Sequence, residues 1–290
     1  MSIFQKKKQK ALIFVDFEYM QISTYKNYGI QPPLRLWYRE LCEKYEIIDL
    51  YVFADFSNPA MKNNLDELRH ITTHIIETQN TGAYHKKDFT DFFLLDHIYQ
   101  KALEKNPATT YILFTGDGHF GGVCRFLTDR CKKNVVIYGI EGNISGVLRT
   151  RANEVVTFPS YDMLKRLYYP IIAKYILNHQ KAEKRITETA APKNVSRGRG
   201  RAGGKKDVAE QTGRGTQTRR KERTVTYLSE SDIIRGVTEE KKLYKKAVED
   251  ALEEMLALGY AEYAELWVST LKRTRVLVCN AEKLRANGIL

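Results

Sequence analysis

The chain has 290 residues, enough for one large domain or two smaller ones joined by a linker. Its 43% apolar and 11% aromatic content are ordinary for a folded protein, and its formal net charge of +12 points toward an anionic partner. No apolar run approaches the roughly 20 residues of a membrane helix. The four cysteines (Cys42, Cys124, Cys131, Cys279) form neither a C-x-x-C pair nor a disulfide-like framework. A soluble, cytoplasmic protein is expected.

The start of the chain, QKKKQKALIFVDF, imitates a signal peptide until Asp16 interrupts the apolar run. After a basic tail at 1–10, ALIFVDF (11–17) reads as a buried strand ending at Asp16. Pro32-Pro33 sets the start of a helix over 34–45. IIDLYVFA (47–54) is a second strand, Asn58-Pro59 opens a helix through 64–71, and 72–77 is a third strand. A periodic helix over 88–105 follows, with Phe92, Leu95, Ile98/Tyr99 and Ala102/Leu103 as its apolar stripe. YILF (111–114) is a strand that stops at Thr115-Gly116-Asp117-Gly118. A helix over 120–131, a strand at 135–140, a short helix at 144–152 and a last strand at 154–158 complete the series. Near-continuous apolar strands alternating with helices predict an α/β fold with a parallel sheet covered on both faces.

A helix over 160–180 trails this domain, and Pro170 lies within it. Residues 181–223 lose periodicity, are Gly/Arg-rich and cannot build a core, so a disordered linker is expected. Charge is concentrated there. This segment holds 14 Lys/Arg against 5 Asp/Glu, whereas 1–180 carries +4 and 224–290 carries −1. Such a tract suits an arm that binds polyanions, with a merely solvated linker as the plainer reading. Order is expected again over 224–290: a helix over 232–237, a longer one over 241–258 stopped by Gly259, strands at 261–269 and 274–279, and a terminal helix of about ten residues. Helix, helix, hairpin resembles a winged-helix module, a small α+β domain that commonly binds nucleic acid.

Three carboxylates occupy comparable places: Asp16 at the end of the first strand, Asp91 in the first turn of a helix, and Asp117 after the fourth strand. If the sheet winds as expected, they converge at its carboxyl edge, where open α/β sheets bind ligands. Gathered carboxylates repel one another unless a cation joins them. Hard oxygen ligands suit Mg²⁺ or Mn²⁺, which could activate water against a phosphodiester.

The blocks IFVDFEYM, KKDFTDFFLLDHIY, ILFTGDGHFGGVCRFL, NVVIYGI and LRTRANEVVTF resemble the NYN domain, the ribonuclease family allied to PIN domains. The resemblance covers about 11–160 and implies metal-dependent hydrolysis of RNA. It matches Asp16 to the first metal-binding aspartate, Asp91 to that of the "VD" block, and Asp117 to the first acid of "SGDxDF". Asp96 matches a further acidic position of the same helix. Three positions depart from the pattern: Tyr19 stands where the family has Asn, His119 replaces the second acid of SGDxDF, and Asn153 replaces an Asp before the last strand. Glu18 could compensate for Tyr19, and His119 could contact phosphate. Lys87, Thr115, Arg197, Arg199 and Arg201 are further candidates for holding substrate.

Read singly, Asp16 and Asp117 suit turn caps, Asp88 suits a helix N-cap, and Asp96 suits a solvated helix face. His70 and His74 stand four apart, but without the Glu of H-E-x-x-H they make a poor zinc pair. Two functions remain. One is a ribonuclease cutting single-stranded RNA. The other is a weakened or inactive descendant that binds RNA, or recruits a protein through 224–290.

Overall fold

The structure, a computed structural model, describes residues 7–78, 89–189, 228–269 and 272–290. The chain divides into two compact units, Met1–Tyr168 with Val237–Ala251, and Tyr169–Gly236 with Leu252–Leu290. The 224–290 segment is thus shared between them. Asp88, Lys87 and the tract around Arg197, Arg199 and Arg201 lie outside the described residues.

In chain order the first unit runs β1 (Gln9–Asp16), α1 (Phe17–Tyr28), α2 (Leu34–Lys44), β2 (Tyr45–Ala54), α3 (Pro59–Lys62), α4 (Leu65–Arg69), β3 (His74–Glu77), α5 (Phe89–Leu103) and β4 (Thr110–Phe114). A 3₁₀ turn at Gly118–Phe120, α6 (Gly121–Arg125) and a π turn at Phe126–Arg130 follow, then β5 (Asn134–Gly139), α7 (Gly146–Arg151) and β6 (Glu154–Thr157). The six strands form one all-parallel sheet in the order β3-β2-β1-β4-β5-β6. Strand order reverses between β1 and β4, whose Val15 and Phe114 are paired. The crevice beyond their carboxyl ends is where such sheets take ligands.

The sheet is buried because its strands are apolar on both faces. Ala11–Val15 and Tyr111–Phe114 are all at most 1% exposed. One face stacks Phe14 between Tyr51 (5.3 Å) and Tyr111 (6.0 Å) and meets Leu94 and Ile98 of α5. On the other, Trp37 of α2 packs edge-on against Phe114 at 5.4 Å. Burying each such side chain contributes about 1.5–3 kcal/mol.

Two local differences from expectation have physical causes. Helix α1 follows β1 directly, where no helix was expected. Its buried positions, Phe17, Met20, Thr24 and Tyr28, keep helical spacing, but Gln21, Ser23 and Thr24 are polar and buried too, so the stripe reads weakly. Gly29, at φ 68°, ends the helix, and a Cβ there would meet the backbone carbonyls of Lys241 and Lys242. Helix α5 exists as expected, but its buried face is Leu94–Ile98, with Leu95 and Ala102 beside it. Phe92 and Leu103, expected in the stripe, are 64% and 77% exposed. Of the expected stripe, Leu95, Ile98 and Ala102 face the core, and its bulkier outer members turn toward solvent.

The remaining elements are α8 (Tyr161–Thr189), α9 (Glu230–Lys241), α10 (Lys245–Ala257), β7 (Ala261–Ser269), β8 (Lys272–Cys279) and α11 (Ala281–Ala286). Helix α8 runs nine residues past its expected end. In the second unit β7 and β8 form an antiparallel hairpin from Ala261↔Cys279 to Ser269↔Lys272. Asn280 caps α11, its side chain accepting from the Lys283 N–H at 3.0 Å. Among the described residues no helix is long and apolar enough to cross a membrane.

Candidate metal centre

Asp16 is the last residue of β1 and the N-cap of α1, its Oδ1 accepting the Tyr19 N–H at 3.0 Å. Only 8% of it is exposed. Burial pushes its carboxyl up to about 7, against the Tyr19 hydrogen bond, and the charges of Asp91, Glu18 and Asp117 push the same way.

Asp117 reaches the crevice through the turn after β4. The buried Thr115 Oγ1 accepts the Asp117 N–H at 3.2 Å, and Asp117 Oδ1 in turn accepts the His119 N–H at 2.8 Å. Thr115, expected near substrate, therefore shapes the turn. Gly116 is required in it, because a Cβ there would run into the Asn143 carbonyl and the Tyr19 ring. Asp91 arrives from α5. It lies three, four and seven residues before Leu94, Leu95 and Ile98, so at about 100° per residue it heads the helix's core-facing stripe.

One donor atom each from Asp91, Asp117 and His119 lie within 4.8 Å of one another. Two carboxylates at that separation repel by about 3 kcal/mol at an effective dielectric near 20, and a shared cation reverses the sign. His119 Nδ1 also lies 3.3 Å from Asp117 Oδ1, with His119 exposed and Asp117 partly so, a contact worth little by itself. The residues present fit a small divalent cation in chemistry: anionic oxygens, one imidazole nitrogen and a buried carboxyl beside them that burial holds back from ionising.

The other expected positions fall elsewhere. Asp96, five residues and about 140° around α5 from Asp91, is exposed and accepts from Gln100 Nε2 at 2.8 Å. Glu18 Oε1 is engaged by the Asp55 N–H at 2.9 Å and the Thr90 hydroxyl at 3.1 Å. Asn153 precedes β6 at the amino end of the sheet, where its Oδ1 accepts the Val135 N–H at 2.8 Å. An acid there would stand at the opposite edge from Asp117, so the loss expected from Asn153 does not touch this cluster. Tyr19 is a strut: its hydroxyl donates to the Asn143 carbonyl at 3.1 Å and accepts the Ile140 N–H at 2.9 Å. Burial pushes that phenol up to about 12.

Sequence reasoning placed His119 on the substrate side rather than among the donors. The signal was there, since His119 stands at a family acidic position and carries a donor of its own.

An all-parallel sheet sandwiched by helices, with acids at its switch point, is the architecture of PIN-like nucleases. The family model of the NYN domain matches residues 10–187, and the chain belongs to that family. No curated protein matches it. Among solved structures, a protein of unknown function from Vibrio parahaemolyticus RIMD 2210633 is 18% identical and covers 55% of this chain and 98% of that one, with a TM-score of 0.48.

Proposed function

We propose that the protein is a metal-dependent endoribonuclease that hydrolyses phosphodiester bonds of single-stranded RNA at the carboxyl edge of its sheet. The observation that carries this reading is the meeting of Asp91, Asp117 and His119 beside buried Asp16 in the β1/β4 crevice of an NYN domain. Asp91 and Asp117, with His119 Nδ1 or Nε2, are the groups to hold the ion, and Asp16 adds buried negative charge next to them. An imidazole among carboxylates favours Mn²⁺ over Mg²⁺. When bound, the ion supplies Lewis acidity toward a phosphate oxygen and a more acidic water.

The chain's own residues do the rest. Oxygen of the attacking water bonds to phosphorus as the bond to the leaving ribose oxygen breaks, and a carboxylate oxygen of the cluster takes the water's proton. Thr115 and the Gly116 backbone hold Asp117 in place for this. The Arg-rich tract containing Arg197, Arg199 and Arg201 is suited to hold the strand through phosphate charge and stacking. The helix–helix–hairpin order of the C-terminal elements resembles a winged-helix module, and we assign them to the same task. The four free cysteines fit a cytoplasmic protein.

A second reading has its own support. Glu18, the residue expected to compensate for Tyr19, is committed to structural hydrogen bonds, and so is Tyr19 itself. The ion's protein ligands are then few, as in a weakened enzyme that retains RNA binding. End-labelled single-stranded RNA incubated with Mn²⁺, Mg²⁺ or EDTA separates the two. Metal-dependent cutting, absent in an Asp16→Asn/Asp117→Asn double variant, is expected. No cutting, or equal cutting by that variant, moves the protein to the binding class.

A further inference from the structure

Along the same edge, beyond β5 and β6, lies a cavity of about 430 Å³ within the first unit, on the scale of small-ligand sites. Its walls include Asn27, Tyr28, Glu141, Thr157, Tyr161 and Tyr244. Three aromatic rings line one space, and they are fixed. The Tyr28 ring meets Tyr244 edge-on at 6.4 Å, and the Tyr161 hydroxyl donates to Asp250 Oδ2 at 2.7 Å. Tyr168 locks the corner, donating to the Tyr28 carbonyl at 2.8 Å and accepting the Tyr244 N–H at 3.1 Å. Rigid aromatic faces are what a flat, conjugated ligand stacks on.

A second observation asks for a polar ligand. Among the described residues, the side-chain nitrogen of Asn27 is buried and has no hydrogen-bond partner. A buried amide donor left unmatched is destabilising, and an acceptor brought by a ligand would complete it, as an ordered water does elsewhere. The Glu141 carboxylate, itself 3.8 Å from Arg149 Nη2, supplies an acceptor on the same wall. Stacking faces with one donor and one acceptor match a nucleobase edge, which always presents both.

We infer that this cavity is a subsite for one unpaired base of the RNA strand, flanking the phosphate at the Asp91–Asp117–His119 cluster. It rests on the reading that an RNA strand runs along this edge. Strands β4 and β6 are two inter-strand spacings apart, about 10 Å, within the reach of a neighbouring nucleotide. The loop after β5 links the two places, since Asn143 receives the Tyr19 hydroxyl and the Ser145 N–H donates to the Gly116 carbonyl at 2.9 Å.

The test titrates the full-length protein, in EDTA so that nothing is cut, into a short single-stranded RNA carrying one internal 2-aminopurine. Saturable quenching by the wild type is expected. Tyr244→Leu, at a half-exposed position, should abolish the quenching and weaken binding about tenfold, the order of one lost stack. Asn27→Asp, which keeps size but removes the donor, should weaken binding by a similar factor, with circular dichroism unchanged for both. Variants that bind and quench like wild type overturn the inference. So does displacement of the RNA by the four mononucleotides at equal affinity, which makes the cavity a free-nucleotide site. Quenching that persists in a protein unable to cut RNA sinks the nuclease reading while leaving the subsite standing.

Discussion

The two ends of the sheet treat charge in opposite ways. At the amino end several polar groups each complete something nearby. Lys10 pairs with Glu46 at 3.4 Å, Lys8 and Lys133 cap the carbonyls of Cys42 and Ala108 at 2.7 and 2.6 Å, and Asn153 finishes the start of β5. At the carboxyl end burial raises the Asp16 carboxyl toward neutrality, and the charges of Asp91, Glu18 and Asp117 gathered around it push the same way. The same backbone supports both arrangements, so acids are not a requirement of ending parallel strands. The amino edge is organised for stability, whereas the carboxyl edge holds like charges together against their repulsion.

The largest contrast should come from Asp117→Asn: cleavage of RNA falls at least about 100-fold, the order expected for losing one electrostatic contact to the transition state, while filter binding in EDTA is unchanged. Next comes the pH response of Asp16. Its folded-state carboxyl sits near 7 instead of 3.8, so the folded protein holds that proton more tightly than the unfolded chain. Metal-free protein should therefore lose stability as pH rises from about 4 to about 7, by at most about 4 kcal/mol, and stay penalised above that. Asp16→Asn still caps α1 and should flatten the curve and raise the chemical-denaturation midpoint at pH 8. A steeper curve in the variant would contradict the assignment. On the amino side, Asn153→Ala should cost about 1 kcal/mol in the same denaturation experiment, the price of one backbone partner, with cleavage unaltered. The smallest effect belongs to Asp96→Asn, expected within about 0.5 kcal/mol in stability and without change in metal affinity by calorimetry.

Much of this was legible in the sequence, for identifiable reasons. Strands such as 11–16 and 111–114 announce themselves because burial on both faces demands unbroken apolar runs. Asp16 and Asp117 stand at their ends, so their common edge follows from parallel winding. Helix α1 was illegible because Gln21, Ser23 and Thr24 are buried beside Phe17 and Met20, which dilutes the apolar stripe. The α5 stripe was legible in Leu95, Ile98 and Ala102, but its edges were misjudged because Phe92 and Leu103 are large, apolar and exposed; Asp91, three residues before Leu94, lies on the core-facing side. The place of Asn153 just before the last strand was legible, that strand being expected at 154–158 and found at Glu154–Thr157; what was overlooked is that the residue before a parallel strand lies at the amino edge, away from Asp117. His119 entered the donor set only once the turn after β4 was seen to fold back on Asp117.

Tyr19 has a consequence for exchange at its own position. Its ring stands behind the Asn143 carbonyl as the second obstacle to a side chain at Gly116, and its hydroxyl, which serves two backbone groups at once, stands behind Ile144 as the second obstacle at Gly139. Shrinking residue 19 therefore frees neither glycine, because the Asn143 carbonyl and Ile144 remain in the way. Phenylalanine, the usual conservative exchange, is the wrong one here, because it fills the space and leaves the Ile140 N–H and the Asn143 carbonyl unanswered.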